Sequence, residues 1–154
     1  MKDLILGNLI RQARGLELLE SLQLEELELL VSGKVREIGG LEFSIHELMR
    51  QLAAEREELR RRLGGARLRE YAAPLPEEEA GRLMELFREI DAAEQRCARQ
   101  AERNSSLSLA LLDQSHELMN FFYESIVPRE EPAYGAGGAR VRRRPAASLL
   151  NGRL

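Results

Sequence analysis

Two histidines, a single cysteine and a surplus of carboxylates are the residues of this chain that could do chemistry. His46 and His116 lie far apart in sequence, and neither has a second His or Cys at metal-ligand spacing. Cys97 has no second cysteine to pair with. For all three, packing or solvent exposure is the expected role rather than metal binding. No GxSxG, HExxH, glycine-rich phosphate loop or CxxC motif occurs. The carboxylates are spread along amphipathic patterns, where they serve as solvated faces. No catalytic residue, metal ligand or cofactor is expected, and an enzyme is not indicated.

Arg140, Arg142, Arg143 and Arg144 form a dense cationic run. As a nucleic-acid patch it is opposed by two facts. Residues 128–154 hold six Arg and two Glu, a net of +4, which leaves −7 on residues 1–127 of a chain whose total is −3. No aromatic is interleaved in the run for base stacking. A weak electrostatic contact with an acidic protein or membrane surface fits the run better. Tyr134-Gly135 stands apart: a lone Tyr in a Gly-rich segment has nothing nearby to pack on, and Tyr is a favoured interface anchor.

The elements that would position these residues are helical. Charged residues make up 32% of the 154 and aromatics only 5%, a Leu/Glu/Arg/Ala mixture that favours helices meeting along apolar seams. The periodicity predicts a first helix over 2–31, with Leu9, Ala13, Leu16, Leu27 and Val31 on one stripe, interrupted by Glu20 and stopped by Ser32-Gly33. A second helix follows from near residue 35. Ser44 and Glu47 form a capping box that offers 44 as the other start. Its seam is Ile38, Leu41, Ile45, Leu48, Leu52 and Leu59, with a gap at Glu55, and Arg60–Arg62 before Gly64-Gly65 mark its end. Residues 64–75 read as a loop. Pro76 then opens a third helix whose first turn is Glu77, Glu78 and Glu79. Its seam reads Leu83, Phe87, Ile90, Cys97, Ala101, Leu111, Leu118 and Phe122, with Asn104, Ser108 and Ser115 on the same line, and Pro128 ends it.

The expected fold is all-α: an antiparallel three-helix bundle or coiled coil with a long third helix. Residues 1–127 form the helical domain. Residues 128–154 form a Pro/Gly/Arg-rich tail too poor in apolar residues to offset its ordering entropy, so it is expected to be disordered when free. At 1.5 Å per residue the first two helices are each about 45 Å long and the third about 78 Å. The third therefore overhangs by roughly 22 residues, starting near residue 106. Leu107, Leu109, Leu111, Leu112, Leu118, Met119, Phe121, Phe122 and Ile126 would then form an exposed apolar patch of the kind that marks a partner surface. Two other arrangements stay open: a break near Asn104-Ser105-Ser106 that folds the helix back into the core, and self-dimerisation through the same patch. The N-terminus lacks a signal peptide and no stretch approaches a membrane span, so a cytoplasmic protein is expected.

The order of parts resembles the FlgN family of flagellar export chaperones over nearly the whole chain. The resemblance rests on LLESLQLEELELL ending the first helix, IHELMRQLAAEREEL in the second, NSSLSLALLDQSHELMNFF in the third, and EEPAYGAGG, which is similar to a Tyr-Gly-x-x-Gly signature. It implies a non-enzymatic chaperone that binds the C-terminal segments of the hook-filament junction proteins FlgK and FlgL. It also implies delivery to the type III export gate, with FlhA as docking partner and contact with the membrane only through that gate. On this reading Asn104, Leu107, Leu111, Leu118, Phe121 and Phe122 carry the cargo, and Tyr134 and Gly135 meet the gate. The competing class is a structural coiled-coil protein that buries the same patch in a homo-oligomer or export-apparatus component.

Overall fold

The structure, a computed structural model, describes residues 1–126. The expected tail, 128–154, with Tyr134, Gly135 and the Arg140–Arg144 run, lies outside the described residues, as does the helix stop at Pro128. The described residues form four helices, α1 Lys2–Ser32, α2 Val35–Arg62, α3 Leu68–Ala72 and α4 Glu77–Ile126, and no strand. Two compact units divide the chain, Met1–Leu112 and a second beginning at Asp113.

Most helix limits follow from the capping chemistry read in the sequence. Gly33 takes the left-handed conformation at φ 70°, and its N–H and that of Lys34 close back on the carbonyls of Leu30 and Leu29. Gly64 and Gly65, also at positive φ, do the same for the end of α2 against Arg61 and Arg60. α2 begins at Val35 and runs through Gly39-Gly40, so the start at 44 is not used. Ser44 Oγ instead donates back to the Gly40 carbonyl. α4 begins at Glu77, one residue after the expected start. Pro76 precedes it, and its carbonyl accepts the first intrahelical bond, from Ala80 N–H at 2.9 Å. α4 is unbroken at Asn104-Ser105-Ser106.

The loop expected over 64–75 is corrected. It contains α3, whose Leu68 and Ala72, one turn apart, are both buried. Arg67 N–H donates to Glu70 Oε2 at 3.0 Å and secures the first turn of this short helix. Five residues give too little periodicity for a helix to stand out in sequence, and it is burial of Leu68 and Ala72 that holds α3.

Within the first unit one apolar cluster joins all four helices. It includes Ile5, Leu9, Leu16 and Leu19 of α1, Ile45 and Leu52 of α2, Leu68 of α3, and Leu83, Ile90, Ala93 and Cys97 of α4. Pairings fix the helix directions. Gly15 lies so close to α2 that an added Cβ would sit 2.8 Å from Leu52 Cδ2, and Asn8 and Arg11 meet Glu55, so α1 and α2 run antiparallel. Lys2 meets Glu79, Leu16 meets Cys97 and Gln23 meets Asn104, so α1 and α4 run parallel. An Arg56–Glu94 pair ties α2 to α4.

The seams differ from the expected ones in an informative way. In α1 the buried line is Ile5, Asn8/Leu9, Gln12, Leu16, Leu19, Gln23 and Leu29/Leu30, while Val31 is 74% exposed. In α4 it is Leu83, Ile90, Ala93, Cys97, Gln100 and Asn104, a three–four alternation that leaves Phe87 and Ala101 outside. Amides occupy core positions that an apolar stripe passes over. Two similar polar layers result. Between α1 and α2, Asn8 Nδ2 donates to the Glu55 carbonyl (2.9 Å) and to Glu55 Oε2 (2.6 Å), and Gln12 Nε2 donates to Asn8 Oδ1. Arg11 closes on both oxygens of the Glu55 carboxylate, which holds its guanidinium pKa above the ordinary value. Between α1 and α4, Asn104 Nδ2 donates to the Gln23 carbonyl and to Glu26 Oε2, each at 2.7 Å, and Gln100 Nε2 donates to Asn104 Oδ1. The gap that Glu55 leaves in the α2 stripe and the break at Glu20 in α1 are thus interhelical attachment points. Glu20 accepts from Arg96 Nε at 3.0 Å.

Asn104→Ala is expected to destabilise the fold by about 1–3 kcal/mol in urea unfolding, because it strips a buried carbonyl and a carboxylate of their donor. A loss under about 0.5 kcal/mol would show that water replaces the amide.

Candidate protein-docking site

The expected site residues fall into three environments. Asn104 is buried, 3% exposed, and its amide is committed to α1. The structure therefore places it behind the surface, where it fixes α4 against α1. Leu107 is half-buried, and Leu109, Leu111 and Leu112 are exposed; these four close the first unit. Leu118, Phe121 and Phe122 belong to the second unit, where every described residue is exposed.

Residues 113–126 form a helix with two distinct faces. Asp113, Glu117, Asn120 and Glu124 recur at i, i+4, i+7 and i+11 and make one polar stripe. Leu118, Met119, Phe122 and Ile126 fall on the opposite side, flanked by Phe121 and Tyr123. Met119 and Ile126 are 69% and 74% exposed, as open as residues on a fully solvated helix. The rings of Phe121 and Phe122 stand edge to face with centroids 6.0 Å apart. Ser125 Oγ donates to the Phe121 carbonyl at 2.7 Å. The segment holds three carboxylates and no Lys or Arg, and all three carboxylates lie on the polar face, away from the apolar stripe.

An apolar stripe with an aromatic pair can bind a partner helix through i, i+3, i+4 and i+7 anchors. Among the described residues no group of three or more His, Cys, Asp or Glu side chains could hold a metal ion. His46 and His116 are exposed. Cys97 is buried, its Sγ–H donates to the Leu16 carbonyl at 3.5 Å, and burial pushes its thiol pKa up. It is an unreactive packing thiol.

Sequence reasoning missed Gln23, Gln100 and Glu26 as the partners that hold Asn104. The signal was present: Gln and Asn at heptad core positions mark a polar layer that sets register. No helix of the described residues is long and apolar enough to cross a membrane. No curated protein and no solved structure matches the chain. Residues 1–142 match the family described as FlgN protein. That match covers most of the 154 residues, and the all-helical fold agrees with it. The chain belongs to the FlgN protein family.

Proposed function

We propose that this FlgN-family chain is a cytoplasmic chaperone that holds the C-terminal segments of the junction proteins FlgK and FlgL and passes them to the export gate. The family carries the general role of a flagellar export chaperone. The observation that supports the finer reading is the wholly exposed apolar stripe of residues 113–126. In this proposal α1, α2 and the first-unit part of α4 act as an antiparallel three-helix bundle. The cargo lies on Leu118, Phe121 and Phe122 of the second unit. Asn104 acts from within, as the residue that seats α4.

A bound segment should be amphipathic, laying its own apolar face on the stripe. Its affinity should be moderate, because ordering a disordered segment takes several kcal/mol of the gross interaction energy. A chaperone that must release its client requires that balance. Titration calorimetry of the full chain with synthetic FlgK and FlgL C-terminal peptides tests the reading. Absence of binding at high micromolar concentration would reject it.

Tyr134 and Gly135 are proposed to meet FlhA, the gate component. Tyr134→Ala is expected to lower affinity for the gate's cytoplasmic domain by at least about 2 kcal/mol, the threshold of an interface hot spot, while cargo binding stays intact. Calorimetry against both partners decides. Unchanged gate affinity, or loss of cargo affinity instead, would remove Tyr134 from this role.

A further inference from the structure

Phe87 was expected in the core, yet it is 44% exposed and stands between two hollows on the first unit. One hollow, of about 420 Å³, is lined by Arg67, Leu68, Arg69, Met84 and Phe87. The other, of about 240 Å³, has Leu59, Phe87, Ile90, Asp91 and the Arg56–Glu94 pair among its lining residues, so the cationic end of the groove is the Arg67–Arg69 end. Together they follow α4 from Met84 to Glu94, a span longer than a single small molecule requires and suited to a peptide.

The charge of the first hollow is unusual for an acidic body. Arg50, Arg60 and Arg62 each pair with a carboxylate on their own helix. Arg67 and Arg69 are exposed and form no ion pair among the described residues. The nearby Glu70 carboxylate is engaged by the Arg67 backbone N–H. Two uncommitted guanidiniums thus border an apolar floor of Leu68, Met84 and Phe87. Guanidiniums at such a border favour carboxylates, with a planar fork that matches them.

We propose that the groove around Phe87 is a second docking surface, which takes an acidic, apolar peptide segment of a partner protein. The segment's large apolar side chain enters beside Phe87 and Met84, and its carboxylates meet Arg67 and Arg69. The helix of residues 113–126 carries no Lys or Arg, so the two surfaces select different partners: an apolar segment there, an acidic one here. One chaperone molecule can then hold its client and meet a second protein at separate places.

The probe is the synthetic peptide Asp-Leu-Glu-Glu-Leu-Phe-Glu-Asp-Leu-Glu, titrated into the isotopically labelled full chain and followed by amide chemical shifts. A version with Lys at every acidic position is the control. Binding of the acidic peptide is expected to move the amides of residues 67–69 and 84–88, and to weaken as salt is raised to about 0.5 M. Arg67→Glu with Arg69→Glu should reduce affinity by about tenfold or more, since both charges face the ligand. The variant should keep its thermal melt and its binding of junction-protein peptides, because both side chains are exposed and unpaired. Phe87→Ser should weaken the peptide similarly. No binding at about 1 mM, equal binding of the Lys peptide, shifts confined to other residues, or an unaffected double-Glu variant would each overturn the proposal.

Discussion

Replacing both Leu118 and Phe122 by Ala is expected to abolish cargo binding without weakening the fold. Each large side chain buried on binding contributes about 1.5–3 kcal/mol, so the pair accounts for roughly 3–6 kcal/mol, more than a hundredfold in affinity. Both side chains are exposed in the free chain, 54% and 50%, and neither belongs to the apolar cluster of the first unit. Their removal therefore leaves no cavity. Calorimetry with FlgK and FlgL C-terminal peptides measures the binding, and a thermal melt measures the fold. Retained affinity together with a lowered melt would show that these residues are core and that the docking surface lies elsewhere.

Leu83→Ala should do the reverse. Leu83 is only 2% exposed and sits in the cluster beside Ile5 and Leu9. Truncating a fully buried Leu costs the transfer energy of the lost atoms and that of the cavity left behind, about 2–5 kcal/mol. Urea unfolding of the variant should show that loss in its midpoint. At a dose of denaturant where the variant remains folded, its affinity for cargo peptides should match the wild type. A loss under about 1 kcal/mol would mean that the surrounding helices collapse onto the site.

The contrast between these two residues also explains what could be read in the sequence. Leu83, Ile90, Cys97, Asn104, Leu111 and Leu118 share one heptad position in α4. The first four are buried and the last two are exposed. Nothing local distinguishes them, because burial depends on whether another helix lies opposite. The length difference between helices supplied that information, and every residue from Ser108 to Ile126 is exposed. Helix ends were legible because Gly33, Gly64 and Pro76 act through local geometry. α3 was not, because its five residues are held by tertiary burial of Leu68 and Ala72. The positions of Asn8, Gln12, Gln23 and Gln100 in the core were hidden for a related reason. An amide reads as polar until the contacts across to the next helix are known: Asn8 bonds Glu55, 47 residues on, and Asn104 bonds the Gln23 carbonyl, 81 residues back, while Gln12 and Gln100 support those two Asn from four residues away. The same blindness put Phe87 in the core, since Gln100 rather than Ala101 sets the line that α4 buries.

The central claim is that the apolar helix of residues 113–126 is open to receive a client rather than to build a permanent assembly of this chain. Light scattering on the eluting peak, run with and without the FlgK C-terminal segment, tests it most directly. The expected result is a complex whose mass includes the segment, formed by the wild type and not by the Leu118→Ala, Phe122→Ala chain, with any self-association released when cargo is added. A homo-oligomer of fixed mass that takes up no cargo, and that falls apart when Leu118 and Phe122 are replaced, would contradict the claim and assign the stripe to a structural coiled coil.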